Sequence, residues 1–293
     1  MIDVSVSTTF VADDTPLQEA LKQCQNVGIK SVEIGSNHCY EEHYDYLHDY
    51  NFQYLVHNYF PIPQISFVLN IASIDEQIRT LSLQHVKKAL DLCEKTDAKL
   101  YTFHPGFLTD PKGSNQSNIN YDFQWEQNQL SHADHDKAKD LMYQALDEIV
   151  KYAASKEINI SIETEGSVKK KNHLLMQQPH EFEEFMTKYK VSDIGINLNI
   201  GHLNLAANAF EFDRHAFVDL VKDHIVAMEL SHNDGVEDQH LPLRQGEWYW
   251  DIINDRRFED AFKILEFRNT QIAEIARNVQ LIRGNNNEFS VSG

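Results

Sequence analysis

Lys99-Leu100-Tyr101-Thr102-Phe103-His104 and Asn159-Ile160-Ser161-Ile162-Glu163 are two short, largely apolar runs, and each ends on an ionisable side chain. Between them, residues 134–154 carry Ala138, Leu141, Met142, Ala145, Leu146, Ile149, Val150 and Ala153 at three- and four-residue spacing. Such a stripe is one apolar face of a helix, and Asp136, Lys137, Lys139, Asp140 and Lys151 lie off it. Strand, helix and strand in this order make a parallel crossover unit, which brings His104 and Glu163 to the same edge of a sheet.

The alternation continues in both directions. Further strands are read at residues 2–7, 31–34, 53–57, 195–198, 225–230 and 263–266, which makes eight with the two above. Several are continuous apolar runs, as strands covered on both faces require. Helical spacing recurs over 81–93 and through Ile272, Ile275, Ala276, Val279 and Ile282. Thr15-Pro16 reads as an N-cap followed by proline at the first helical position. Eight strand–helix units predict an α/β fold, one (β/α)8 barrel spanning residues 1–293. An open doubly wound sheet usually begins with a glycine-rich turn; Thr8-Thr9-Phe10-Val11 has no glycine, so a dinucleotide fingerprint is absent. Two connections are unusually long: 105–132, with Tyr121, Phe123 and Trp125, and 231–250, rich in His, Asp, Gly and Trp. Both follow strands, so both belong to the C-terminal face, where long loops shape substrate pockets. The polar tail at 285–293 reads as frayed.

A formal net charge of −19 repels phosphate backbones and disfavours nucleic acid as a partner. Cys24, Cys39 and Cys93 form no Cys-x-x-Cys pair, and an odd, sparse set argues against a disulfide-stapled secreted domain. No basic segment followed by an apolar run opens the chain, and no stretch approaches the ~18 apolar residues of a membrane span. The expectation is a soluble, cytoplasmic protein with no membrane partner.

The ionisable residues gather at strand ends. His57 closes the third strand, His104 the fourth, Glu163 the fifth and Glu266 the eighth. Asn199 and His202 follow the sixth; Glu229, His232 and Asp234 follow the seventh, with Asp238 and His240 in the loop beyond. A closed barrel brings these ends to one rim. One rim histidine or glutamate is ordinarily just a polar surface group, but so many strand ends together point to a divalent-metal site. Imidazoles and carboxylates without a thiolate suit Zn²⁺, Mn²⁺, Co²⁺, Fe²⁺ or Mg²⁺. Carboxylates crowded without a cation would repel and shift toward neutrality. Glu33 is a candidate to accept a substrate hydroxyl, or else a rim salt-bridge partner. Trp248, Trp250, Tyr59, Phe107 and Trp125 are candidates for pocket walls, or else for loop packing.

These residues carry a pattern. Val32-Glu33-Ile34-Gly35, His57-Asn58-Tyr59, Phe103-His104-Pro105-Gly106, Ile162-Glu163-Thr164 and Gly201-His202 come in order, followed by Asn233-Asp234-Gly235, Asp238-Gln239-His240-Leu241-Pro242-Leu243 and Ile264-Leu265-Glu266. The order and spacing resemble the xylose-isomerase-like TIM-barrel superfamily, which includes sugar isomerases, sugar epimerases, inosose dehydratases and endonuclease IV. The resemblance implies that Glu163 and Glu266 are metal carboxylates that also sit near proton-exchanging sugar carbons. It implies that His57 and His104 are zinc ligands, as in the endonuclease branch, or substrate contacts, as in the sugar-converting branches. His202, Asp238 and His240 match a further metal set. Three positions depart from the pattern. Asn199 stands where aspartate is usual and offers a carbonyl oxygen without charge. At the seventh strand, where a metal-binding histidine is usual, register with Asn233-Asp234-Gly235 puts Glu229 as the ligand, and a one-residue slip would put His232 there instead. Arg244 takes the place of a glycine and either reaches a substrate phosphate or carboxylate or stays solvated.

The resemblance implies a divalent-metal-dependent isomerase or epimerase of a small polyhydroxylated sugar or sugar-like ketone. Glu163 or Glu266 would take an α-proton through an enediolate, with Glu33, His57, His104, Arg244 and Trp248 around the substrate. A dehydratase of an inosose-like compound, a phosphodiester hydrolase of the endonuclease IV type and a catalytically silent barrel remain as alternatives. Association into a homo-oligomer is open.

Overall fold

The computed structural model describes residues 3–108, 110, 132–166 and 173–284. Its strands are β1 (Val4–Ser7), β2 (Ser31–Ile34), β3 (Gln53–His57), β4 (Tyr101–Phe103), β5 (Ile160–Glu163), β6 (Gly195–Asn199), β7 (Ile225–Leu230) and β8 (Phe262–Leu265). They close in chain order into a barrel, each parallel to the next and β8 parallel to β1. The helices are α1 (Leu17–Asn26), α2 (Glu76–Thr96), α3 (His132–Ser155), α4 (Pro179–Lys188), α5 (Ile200–Phe210), α6 (Arg214–Val221), α7 (Trp250–Ile253) and α8 (Ile272–Ile282). The (β/α)8 expectation therefore holds. Most of the long connection at 105–132, including Tyr121, Phe123 and Trp125, and the tail at 285–293 lie outside the described residues. No helix among the described residues is long and apolar enough to cross a membrane.

The helical layer is less regular than eight equal units. Only a 3-10 turn, Asp45–Asp49, links β2 to β3. This segment is held by rings rather than by a helical stripe: Tyr44 meets Phe60 edge-on at 4.8 Å and Tyr50 stacks on Phe52 at 5.6 Å. β6 is followed by two helices, and α7 is a single turn of four residues. The first helix also starts one residue later than expected. Pro16 itself takes the N-cap position, and the Thr15 hydroxyl donates back to the Ala12 carbonyl at 2.6 Å instead of capping.

The strand faces divide the packing. Outward side chains such as Val6, Val32, Val56, Phe103, Ile162 and Leu198 join Leu21, Val86, Leu90, Leu146 and Ile149 of the helices in one buried layer. Inside the barrel, Leu55, Leu100, Ala227 and Ile264 form a separate apolar plug. Beside the plug the hydroxyl pairs Ser5–Ser31 and Thr102–Ser161 meet at 2.7 Å each, with Ser5 in register with Ile264, and two residues further along the plug's strands the interior turns polar at His57, Thr102, Glu229 and Glu266. The plug closes the barrel and the polar layers open toward the C-terminal face, where barrels of this type place their chemistry.

Candidate metal centre

Side chains alternate along a strand, so parallel register decides which residues share the barrel interior. Ser7 lies opposite Glu33, Glu163 opposite Asn197, and Asn199 opposite Glu229. All of these are buried. Glu163 is the hub of the site. Its Oε2 lies 2.9 Å from His57 Nε2 and 3.5 Å from His104 Nε2; its Oε1 lies 3.0 Å from His202 Nδ1. Glu266, one residue past β8, meets His240 Nδ1 at 3.1 Å. Asp238 Oδ2 sits 2.9 Å from His240 Nε2 and 3.7 Å from His202 Nε2. Among the described residues, three groups bring one donor atom each to within 4.8 Å of the others: His57, His104 and Glu163; His202, Asp238 and His240; Glu33, His57 and Glu229.

Asp238 and His240 reach the rim because the loop after β7 doubles back. His232 and Leu241 exchange two backbone hydrogen bonds of 2.8 and 2.9 Å. His240 is held at φ 47°, a region that costs a non-glycine residue about 1–2 kcal/mol. The Arg268 N–H, donating to the His240 carbonyl at 3.2 Å, helps fix it there.

The charges interlock. Burial opposes protonation of His57, but the Glu163 hydrogen bond and the carboxylates of Glu33 and Glu266 outweigh it and lift the ring to about 9. Burial opposes protonation of His240 too, and Asp238 with Glu266 lifts it to about 9. His104 and His202 are raised against burial in the same way, by Glu163 and Glu165 and by Asp238 and Glu163. Burial pushes the carboxyls upward, yet their imidazoles prevail at three of them. Glu163 and Asp238 fall well below the usual carboxylate range, and Glu266 falls to about 2. Glu33 and Glu229 go the other way. Burial and neighbouring carboxylates lift Glu33 to about 7, although His57 and Ser7 pull it down, and lift Glu229 well above the usual range.

The donor set fits a divalent cation. His104 Nδ1 contacts Glu165 Oε1 at 2.5 Å, and His202 Nδ1 contacts the Thr164 carbonyl at 2.9 Å. With the proton on Nδ1, assigned from these contacts, Nε2 of each ring presents its lone pair to the clusters. This is the outer-sphere arrangement that metal-binding histidines use. His57 Nδ1, Asp238 Oδ1 and both Glu33 oxygens are buried without a hydrogen bond of good geometry. Such groups are costly to leave unsatisfied. Mixed imidazole and carboxylate donors without thiolate suit Zn²⁺, Mn²⁺, Co²⁺ or Fe²⁺.

Several expected residues are arranged differently from their sequence reading. Asn199 faces the carboxylates with its amide nitrogen, not its carbonyl oxygen. Nδ2 donates to Glu163 Oε1 and Glu229 Oε2 at 2.9 Å each and reaches Glu266 Oε2 at 3.4 Å. Its Oδ1 instead accepts the His202 N–H at 3.1 Å and caps α5. Of the two seventh-strand candidates, Glu229 points into the barrel. The His232 ring turns to the Tyr249 hydroxyl, 3.4 Å away, and takes part in none of the three clusters. Arg244 is exposed; its carbonyl accepts from Trp250 Nε1 at 2.7 Å, and its charge is felt at His232. Trp248 packs under the Arg214 guanidinium at 4.5 Å and against Tyr249, while Tyr59 stacks on His85 at 5.1 Å. Glu33 is wholly buried rather than a rim salt bridge. Glu165 and Asn197 are site residues that a motif search passes over. Each stands two residues from Glu163 or Asn199, and Asn197 donates to Glu229 Oε1 at 2.8 Å.

The chain resembles MJ1614 of Methanocaldococcus jannaschii, an uncharacterized protein, at 25% identity over 278 residues, covering 93% of this chain and 94% of the relative. Among solved structures, a D-tagatose 3-epimerase-like protein superposes with a TM-score of 0.70 at 18% identity, covering 97% of this chain and 99% of the other. The TTHB071 protein of Thermus thermophilus, from a crystal soaked with ZnCl2, superposes with a TM-score of 0.61 at 17% identity, covering 97% and 98%. At these identities the superpositions establish the fold. The xylose isomerase-like TIM barrel family model matches residues 21–285, and the chain belongs to that family.

Proposed function

We propose that the protein is a divalent-metal-dependent isomerase or epimerase of a small polyhydroxylated carbonyl compound. The observation that carries this reading is the pair Glu163 and Glu266. They approach from β5 and β8 across the single Asn199 amide, at 2.9 and 3.4 Å; three imidazoles meet Glu163, and His240 meets Glu266. His57, His104 and Glu163 would hold one cation, and His202, Asp238 and His240 another. When bound, a divalent ion supplies positive charge to neighbouring carbonyl and hydroxyl oxygens. The chain's own part is proton handling. Glu163 and Glu266 are held ionised by their histidines, as groups that accept a proton from carbon must be. One takes the proton beside the carbonyl and the other returns it to the same or the opposite face. Leu55, Leu100, Ala227 and Ile264, two residues before His57, Thr102, Glu229 and Glu266 on their strands, put buried apolar side chains beneath the site. The name of the D-tagatose 3-epimerase-like neighbour supports the substrate class.

A second reading, phosphodiester hydrolysis, is favoured by one feature: two histidine-rich clusters stand on the same rim, and multi-metal hydrolases use neighbouring ions. The −19 charge opposes a nucleic-acid substrate. Incubating the Mn²⁺-loaded protein with a ketose panel in D2O separates the two. Deuterium entering at the carbon beside the carbonyl, and lost in Glu163→Gln, is the expected result. Absence of exchange with every ketose, together with cleavage of bis(p-nitrophenyl) phosphate, would transfer the assignment to hydrolysis.

A further inference from the structure

We propose that this chain holds a divalent cation within the barrel mouth between Glu33 of β2, His57 of β3 and Glu229 of β7. This position is displaced from the Glu163, Asn199 and Glu266 set implied by the sequence pattern. The inference rests on the metal-dependent reading, and because His57 Nε2 has one lone pair, this position stands in place of the His57, His104 and Glu163 cation rather than beside it.

Three observations converge. One donor atom from each of the three residues lies within 4.8 Å of the others, and His57 Nε2 is 3.6 Å from Glu229 Oε1. Glu33 is wholly buried, and neither of its oxygens has a hydrogen bond of good geometry. Buried carboxylates are ordinarily satisfied by donors or by a cation. Third, the Asn199 amide already occupies the space among Glu163, Glu229 and Glu266, where its N–H groups stand in for a cation. The amide has no reason to turn over. Its oxygen accepts the His202 N–H at 3.1 Å, and reversal would set oxygen against two carboxylates and N–H against N–H. Glu229 therefore spends Oε2 on Asn199 and presents Oε1 toward His57. Asn197 donates to that same Oε1 at 2.8 Å, the kind of hold that orients a ligating carboxylate. Two carboxylates and an imidazole suit Mn²⁺, Fe²⁺ or Zn²⁺.

Crystals of the full chain soaked in MnCl2 test this by anomalous difference density. The expected peak lies about 2.0–2.3 Å from donor atoms of Glu33, His57 and Glu229. Glu33→Gln removes that peak and about one equivalent of manganese by elemental analysis. Any peak at His202, Asp238 and His240 stays. Asn199→Asp moves the density toward Glu163 and Glu266. Manganese on the rim with none at Glu33, or a Glu33→Gln variant with unchanged content, overturns this inference and leaves the metal-dependent reading standing. A wild type that takes up no manganese overturns both. The wild-type map decides the matter even if Glu33→Gln does not fold.

Discussion

Asn199→Asp changes one atom and reverses the electrostatics of the site. In the wild type, Nδ2 donates to Glu163 and Glu229 at 2.9 Å each. Aspartate keeps the cap of α5, because a carboxylate oxygen still accepts the His202 N–H. Its other oxygen has no proton to give to the ionised Glu163, while Glu229, lifted well above the usual carboxylate range, keeps a proton to share. The bond to ionised Glu163 contributes about 1.5–3 kcal/mol and the one to Glu229 about 0.5–1.5 kcal/mol, so losing both costs about 2–4.5 kcal/mol. Repulsion adds little beyond that, since one carboxyl takes up a proton instead of remaining charged. At about 2 °C per kcal/mol for a chain of this size, the melting temperature in chelator at pH 7.5 falls by about 4–9 °C. Divalent metal reverses the trend. Ligand at a hundred times its Kd contributes about 2.7 kcal/mol, and the introduced carboxylate adds the charge that asparagine lacks. Differential scanning calorimetry with EDTA and with excess MnCl2 reads both halves. A fall of under 2 °C in EDTA, or a larger metal-induced gain in wild type than in the variant, would refute the reasoning.

Other outcomes follow from the same geometry. Glu165→Ala frees His104 Nδ1, and Mn²⁺ affinity by calorimetric titration drops about 10–100-fold, with Glu165→Gln intermediate; wild-type affinity in the alanine variant would remove Glu165 from the site. The metal-free protein has a defined pH optimum for stability. His57 and His240 titrate at about 9 against 6.5 in the unfolded chain, so their contribution is complete below 6.5 and is lost as pH rises through 9. Glu266 titrates at about 2 against 4.5, so its contribution is present above 4.5 and is lost as pH falls through 2. Glu33, lifted to about 7 against 4.5, withdraws stability as pH rises between those values, so thermal melts in EDTA peak near 4.5 and decline toward 9, and saturating divalent metal removes the alkaline decline because it takes deprotonated ligands. A chelated protein whose melting temperature climbs from pH 6.5 to 9 contradicts the charge arrangement.

The barrel is legible in the sequence because its signals are local. Apolar runs ending at His57, His104 and Glu163 and the helical stripe from Ala138 to Ala153 need no tertiary context. The β2–β3 link is not legible, since ring packing of Tyr44 and Tyr50 replaces helical period there. The inward set follows from period two, which reaches Asn197 as readily as Asn199. The choice between Glu229 and His232 depends on where β7 ends, and β7 runs to Leu230, which leaves Glu229 inside and His232 in the returning loop. The direction of the Asn199 amide is beyond any linear reading. It is set by the His202 N–H at the first turn of α5 on one side and by three carboxylates from other strands on the other. Trp248 and Tyr59 carry no spacing that separates a pocket wall from a packing ring, and their partners Arg214 and His85 are distant in sequence.

The proposed function depends on a divalent metal held at the C-terminal rim by its histidines and carboxylates, with Glu163 at their centre. Elemental analysis of protein purified without chelator tests it most directly, with Glu163→Gln measured alongside. The expected result is at least about one equivalent of a divalent transition metal in the wild type and a clear loss in the variant, with the fold intact by circular dichroism. A wild type that is metal-free, and stays so after dialysis against MnCl2 and ZnCl2, would contradict it.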